Sequence, residues 1–144
     1  MFYIGEGETS YFALIDAYKK NKAEGGCRKD FLKMAAAIQY MLPGVPCLYY
    51  GDEAGVCGFT DPDNRRTYPW GNENTNLLQF YKDLGQVRKK CGAFKDGNFY
   101  THFADENALS YVRTSDNSKA FIAVNRGQQE ITITVPNEFL KCKK

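Results

Sequence analysis

Histidine is nearly absent from this chain: His102 is the one histidine among 144 residues. Its scarcity excludes an HExxH zinc motif, which needs two histidines, and confines any Ser-His-Asp triad to the neighbourhood of residue 102. No window approaches the roughly 18 consecutive apolar residues of a membrane span, and the first six residues lack the basic and apolar regions of a signal peptide. We therefore expect no membrane partner, no secretion signal, no metal and no cofactor.

An excess of charge is also missing. The chain has 19 basic and 17 acidic residues, for a net charge of +2. Nucleic-acid binding depends on concentrated Lys and Arg, so no nucleic-acid partner is expected. The five cysteines are widely spaced and contain no CxxC pair. Without a secretion signal they are predicted to be free thiols, which favours the cytoplasm.

Aromatic residues are abundant, at 15% of the chain, with ten Tyr, ten Phe and one Trp. They fit either a core rich in rings or exposed platforms on which flat ligands, such as sugars or bases, stack. Composition alone favours the core.

The apolar patterns divide the chain into an α/β part, residues 1–91, and a small all-β part, residues 92–144. In the first part we predict helices at about 10–23, 30–41 and 77–90, with a strand buried on both faces at 45–50. Residues 54–75 form a long polar loop, and loops of this length in compact domains are usually functional or disordered. In the second part four short segments, 99–103, 108–114, 120–125 and 131–135, alternate as an antiparallel meander does.

The candidate chemistry lies where the predicted strand 45–50 ends. Ligands of α/β folds meet the loops at the carboxyl ends of strands, and residues 61–70 of the following loop combine Asp, Arg, Tyr and Trp. Arg can donate to sugar hydroxyls, Asp can accept from them, and aromatic rings can stack on a sugar face. The alternative is a loop whose Arg–Asp pairs hold its own shape, and the spacing does not decide between the two.

Three motifs carry a family resemblance: LPGVPCLYYGDE at 42–53, DPDNRR at 61–66 and YPW at 68–70. Together they resemble the α-amylase superfamily, and most closely its neopullulanase, cyclomaltodextrinase and maltogenic amylase branch. The matching stretch covers about residues 33–136. The resemblance implies an α-glucan-acting retaining glycosidase with a (β/α)₈ barrel and a C-terminal β domain. A full barrel takes about 250 residues, so this chain would hold only the terminal piece of one.

The resemblance also implies which residues are missing. Retaining glycosidases need two carboxyl groups about 5 Å apart, and in this family both lie on barrel strands that precede the matching stretch. The family's His-Asp signature after the seventh strand is absent as well. Asp16 is either a relic of that transition-state-stabilising Asp or a solvent-facing helix residue.

Asp61 and Arg65 match the family loop that contacts sugar on the non-reducing side of the scissile bond, and Arg66 and Trp70 are added as further substrate-binding candidates. Tyr49 and Tyr50 would be barrel core and rim. Asp52 and Glu53, being adjacent, would point to opposite faces of a strand and support the barrel end. The β part would pack on the barrel, with His102 as a surface strand residue.

These observations predict a C-terminal fragment of an α-glucan hydrolase, inactive alone, whose partners are an α-glucan or maltooligosaccharide and the missing barrel portion. An alternative is a non-catalytic module that binds glucan or another protein, in which the strand 45–50 pairs with a second copy to give a homodimer. A third possibility, an enzyme that uses Cys or the lone His, lacks a nucleophile–base pair to support it.

Overall fold

The computed structural model describes residues 29–58, 61–62 and 64–135, together with the backbones of two short strands nearer the N-terminus. Within these residues there are three helices and five strands. They are α1 (Lys29–Met41), α2 (Thr75–Lys90), α3 (Ala93–Asp96), β1 (Phe2–Ile4), β2 (Ser10–Asp16), β3 (Asn98–Ala104), β4 (Ala108–Ser115) and β5 (Ser118–Asn125). The predicted helices at 30–41 and 77–90 and the first three predicted β segments are confirmed within two residues.

The strands form one sheet in the order β1-β2-β5-β4-β3, in which β2 and β5 are parallel and the other pairs antiparallel. Strands β3, β4 and β5 make the expected meander. Its first turn is closed by Asp105, whose carboxylate accepts from the backbone N–H groups of Asn107 and Ala108 at 2.7 and 2.6 Å. The C-terminal part of the described chain is thus a small antiparallel β unit.

A single hydrophobic cluster joins the helices to one face of the sheet. It contains the apolar faces of α1 and α2, the short helix α3, and inward side chains of β4 and β5 such as Tyr111 and Ile122. A second cluster on the opposite face packs Val112, Phe121 and Ala123 against Ile133 and Val135. Strand β5 is therefore buried on both faces.

Two arginines fix the C-terminal end of α1, where backbone carbonyls lack helical partners. Arg88, in the last turn of α2, donates to the carbonyls of Tyr40, Leu42 and Gly44. Arg113 on β4 is 1% exposed and donates to the carbonyls of Met41, Gly97 and Asn98 at 3.0, 2.9 and 3.3 Å. Burial and the nearby charge of Arg88 lower the pKa of Arg113.

The helix predicted at 10–23 is wrong for the residues that the structure describes, because Ser10–Asp16 is strand β2. Its run of apolar residues fits either structure by pattern alone. The strand is selected by backbone pairing, since residues 10–16 lie in register along β5 from Lys119 to Asn125. Asp16 ends this strand opposite Asn125, so its interpretation as a helix residue is also wrong. Residues 17–23 lie outside the described residues.

Two predicted strands are not strands in the structure. Residues 45–50 have no regular secondary structure, and Val45 is 92% exposed. A strand needs a neighbouring backbone for its N–H and C=O groups, no described segment pairs with this one, and Pro46 removes an N–H donor. Residues 131–135 are also irregular, although Ile133 and Val135 still pack on the sheet.

The cysteine prediction is correct for some thiols and wrong for one. Cys47 and Cys91 are free, whereas Cys57 is disulfide-bonded. Cys27 and Cys142 lie outside the described residues. No helix in the described part of the chain is long and apolar enough to cross a membrane.

Candidate functional site

The site begins with a tight turn after the exposed segment 45–50. Gly51 adopts a φ of +93°, and a Cβ there would lie 2.9 Å from Cγ2 of Val56. The carbonyl of Gly51 accepts from Ala54 and Val56 at 3.0 and 2.9 Å. Only glycine fits both this φ and this close approach, so the sequence itself sets the turn.

Glu53 is the charged centre of the turn. Its Oε2 accepts from the backbone N–H of Gly51 at 3.0 Å, and it also hydrogen-bonds the side chain of Tyr68. Burial and the charge of Glu53 raise the pKa of Tyr68, and the same two causes raise the pKa of Asp52. Asp52 and Glu53 therefore lie in a turn rather than on opposite faces of a strand, and Glu53 ties that turn to the loop.

The loop carries an ion pair between two of the candidate binding residues. Arg65 Nε lies 2.7 Å from Asp61 Oδ1, and Arg65 Nη2 donates to Asp61 Oδ2 at 3.2 Å. The side chains are 70% exposed for Arg65 and 59% exposed for Asp61. The pair shapes the loop and also presents a guanidinium and a carboxylate to solvent.

Two tyrosine hydroxyls connect segment 45–50 to the same loop. Tyr50 donates to the carbonyl of Arg66 at 2.9 Å, and Tyr49 to that of Asn64 at 3.4 Å. These two residues are 46% and 48% exposed, so neither is buried in this structure, and their assignment to barrel core and rim stays a prediction. No sequence signal identified these contacts, because they join residues 15 and 16 positions apart through irregular backbone.

Trp70 lies at the end of the loop with 81% of its surface exposed. Its ring centroid is 4.5 Å from that of Tyr68, at an interplanar angle of 46°. The structure thus places Asp61 and Arg65 in direct contact, Arg66 beside them with an exposed side chain, and Trp70 against Tyr68. Together these groups offer hydrogen-bond donors, an acceptor and an apolar ring face at the surface.

The remaining candidate chemistry is weak. His102 lies exposed on β3, as predicted, and its Nδ1 is 2.9 Å from Oγ of Ser110. Because Ser110 is fully buried, its hydroxyl is inaccessible to a substrate. No group of three or more His, Cys, Asp or Glu side chains that could hold a metal ion is found among the residues that the structure describes.

Curated relatives of this chain share names that refer to α-glucans, although no protein-family model matches it. It is 38% identical over 115 residues to an amylopullulanase of Thermoanaerobacterium saccharolyticum, covering 72% of this chain and 9% of the relative. It is 31% identical over 144 residues to neopullulanase 2 of Thermoactinomyces vulgaris, covering 94% and 25%. A cyclomaltodextrinase of Geobacillus thermopakistaniensis is 34% identical over 116 residues, covering 78% and 19%. The chain thus spans a quarter or less of each of these relatives.

Solved structures agree with this similarity. A maltogenic amylase from S. marinus superposes with a TM-score of 0.66 at 33% identity, covering 72% of this chain and 16% of that one. A cyclic α-maltosyl-(1→6)-maltose hydrolase from Arthrobacter globiformis gives 0.63 at 31% identity, covering 69% and 23%. The relatives and structural neighbours of this chain are thus α-amylase family enzymes, among them neopullulanase, cyclomaltodextrinase and maltogenic amylase.

Proposed function

We propose that this chain is the C-terminal part of an α-glucan-hydrolysing retaining glycosidase and supplies a glucan-binding loop rather than the hydrolytic carboxylates. Residues 1–91 would then be a piece of the catalytic barrel and residues 92–144 its β domain. The observation that carries the proposal is the exposed loop in which Asp61 pairs with Arg65 and Trp70 is 81% exposed.

The ligand class comes from the relatives together with the chemistry of the loop. The relatives' names refer to pullulan, to cyclomaltodextrin and to a cyclic maltosyl-maltose, and that last enzyme has a solved complex with maltose. An α-glucan presents many hydroxyls and an apolar ring face. Arg65 and Arg66 would donate to hydroxyls, Asp61 would accept from them, and Trp70 would stack on a glucose ring.

The alternative is that the Asp61–Arg65 pair only holds the loop in shape. The observed geometry of the pair fits this role as well as a role in binding. An exposed ion pair contributes about 0–1 kcal/mol to stability, which is too little to explain the pair as a major stabilising element. Its two side chains remain more than half exposed while paired. A ligand can therefore reach both without breaking the pair, and in this proposal the pair orients the guanidinium toward the sugar.

Hydrolysis by this chain alone is not part of the proposal. A retaining mechanism requires two carboxyl groups roughly 5–5.5 Å apart on either side of the glycosidic bond. Glu53 is committed to Gly51 and Tyr68, and Asp52 is its immediate neighbour in the turn. Asp16, the proposed relic, lies at the end of β2. We therefore expect binding without turnover.

The proposal is tested by two measurements on the purified chain. Isothermal titration with maltotriose should give saturable heat that Asp61→Ala and Arg65→Ala each weaken about tenfold, whereas Lys82→Ala, an exposed change on α2, serves as the control. A reducing-sugar assay on starch, pullulan and cyclodextrin should show no turnover. Absence of binding contradicts the ligand assignment, and clear turnover contradicts the fragment assignment.

A second candidate function, a non-catalytic and dimeric module, rests on segment 45–50. Val45 is 92% exposed, and Leu48, Tyr49 and Tyr50 are 37–48% exposed. Contiguous exposed apolar surface marks interaction sites. In this alternative two copies pair through the segment, sedimentation gives twice the chain mass, and Val45→Lys restores the monomer.

The described cysteines differ in whether they fit the predicted cytoplasmic location. Cys47 and Cys91 are free, as expected in a reducing compartment, whereas the disulfide at Cys57 is typical of an oxidising one. Thiol counting on protein extracted under acid quench decides between them: five free thiols support the cytoplasm, and fewer contradict it.

A further inference from the structure

Segment 45–50 is irregular, yet it is fixed at its beginning. The carbonyls of Leu42 and Gly44, immediately before it, accept from Arg88 of α2. Within it, the carbonyl of Cys47 accepts from Nε2 of Gln39 on α1 at 2.6 Å. Hydrogen bonds from two helices therefore set where the segment leaves the core.

The other end of the segment is fixed by the turn at Gly51. The carbonyl of Ala54, in that turn, accepts from the backbone N–H of Asn74 at 2.9 Å. Asn74 is the N-cap of α2, and its side chain accepts from the N–H of Leu77 at 3.0 Å. The segment thus spans two points that are both attached to α2.

Because segment 45–50 is fixed at both ends, its side chains can fix the position of the neighbouring loop. Tyr50 directs its hydroxyl away from the segment to the carbonyl of Arg66, at 2.9 Å, which is inside the usual range for O–H···O bonds. Arg66 follows Arg65 directly, so this bond fixes the backbone next to the Asp61–Arg65 pair. We propose that Tyr50 is a positioning residue for the glucan-binding loop: it orients the Asp61–Arg65 pair by holding the Arg66 carbonyl. This inference rests on the proposed function.

Tyr49 provides the matched control within the same segment. The two residues have nearly equal exposure, 48% and 46%, and their ring centroids are 5.1 Å apart. They differ in the hydrogen bond: Tyr49 reaches the Asn64 carbonyl only at 3.4 Å, beyond the usual O–H···O range. Replacement by Phe removes one oxygen from either residue and leaves the ring contact.

The test compares Tyr50→Phe with Tyr49→Phe by isothermal titration with maltotriose. We expect Tyr50→Phe to raise the Kd about three- to tenfold, the effect of losing one hydrogen bond that orders the site. Tyr49→Phe should raise it less than about twofold. The urea midpoint should be the same for both variants, which separates positioning from a general loss of stability.

A second readout on the free protein distinguishes failure of this inference from failure of the proposed function. Amide hydrogen exchange at residues 65–67 should be faster in Tyr50→Phe than in Tyr49→Phe or the unchanged chain. If the unchanged chain does not bind maltotriose, the proposed function is wrong, and the exchange rates still decide whether Tyr50 orders the loop. Equal Kd values together with equal exchange rates in the two variants overturn the inference.

Discussion

Strand β5 and segment 45–50 are both short apolar runs bounded by turns, but only β5 is a buried strand. Every residue from Ala120 to Val124 is buried, and β5 pairs with β4 on one side and β2 on the other. Segment 45–50 has no strand partner among the described residues and exposes Val45 almost completely. An apolar run therefore becomes a strand only where neighbouring backbones complete its hydrogen bonds.

The comparison also separates stability from function. Stability resides in the cluster that joins the helices to β4 and β5. The proposed binding groups lie on exposed backbone that is held by a few specific hydrogen bonds. Changes in the first region should lower the free energy of unfolding, and changes in the second should alter binding while leaving that free energy almost unchanged.

The largest expected effect comes from the core of β5. Ile122 is fully buried, so Ile122→Ala should lower the free energy of unfolding by about 3 kcal/mol through lost burial and a residual cavity. Leu48→Ala, the matched change in the exposed segment, should cost less than about 1 kcal/mol. Urea unfolding monitored by circular dichroism measures both, and equal losses would mean that the segment is as well packed as the strand.

Alkaline pH should also affect the two regions unequally. Burial, aided by Asp52, Tyr40 and Glu53, raises the pKa of Tyr81 on α2 to about 12. Because the folded state holds this proton more tightly than the unfolded chain, the contribution of Tyr81 is complete below pH 10 and is lost as the pH rises from 10 to 12. Tyr81→Phe should therefore reduce the loss of unfolding free energy between pH 10 and pH 12 by about 2 kcal/mol. The measurement is the Tm across this range, which should fall less in the variant.

The loop tyrosine is the control for that measurement. Burial and Glu53 raise the pKa of Tyr68 too, but Tyr68 lies in the loop rather than in the core cluster. Tyr68→Phe should therefore change the alkaline Tm profile less than Tyr81→Phe does. A larger effect of Tyr68→Phe would place an important part of the stability in the loop.

Most of the regular structure could be predicted because its signals are local. Helix α1 follows an apolar period with a run of alanines, and β3 to β5 are separated by turn residues such as Asp105 and Asn107. The failures depend on non-local pairing. Residues 10–16 form a strand because β5 offers a free edge, and residues 45–50 lack such an edge.

The site could be predicted less completely. The resemblance identified Asp61, Arg65 and Trp70 as candidates, and the structure puts Asp61 and Arg65 in contact. The bonds that hold the loop were not predictable, because Tyr50 reaches the Arg66 carbonyl, and Glu53 reaches Tyr68, only across the turn at Gly51. Helix α3 was missed as well, since its four residues carry too short a pattern.

A smaller effect is expected where the loop joins α2. In the structure the N-cap of α2 is Asn74, two residues before Asn76. Asn74→Ala should lower the free energy of unfolding by about 1 kcal/mol, and Asn76→Ala, an exposed position, by less than about 0.5 kcal/mol. Chemical denaturation of both variants checks the assignment, and the reverse order would move the cap to Asn76.

Glucan binding by the loop is the central claim, and Trp70 provides its most direct measurement. Trp70 is the chain's one tryptophan, so its fluorescence reports on the loop without labelling. Titration with maltotriose should change the emission along a saturable curve, whereas cellotriose, with the same sugar in β linkage, should not. An absent or merely linear response to maltotriose, or equal saturation by both trisaccharides, would contradict the account.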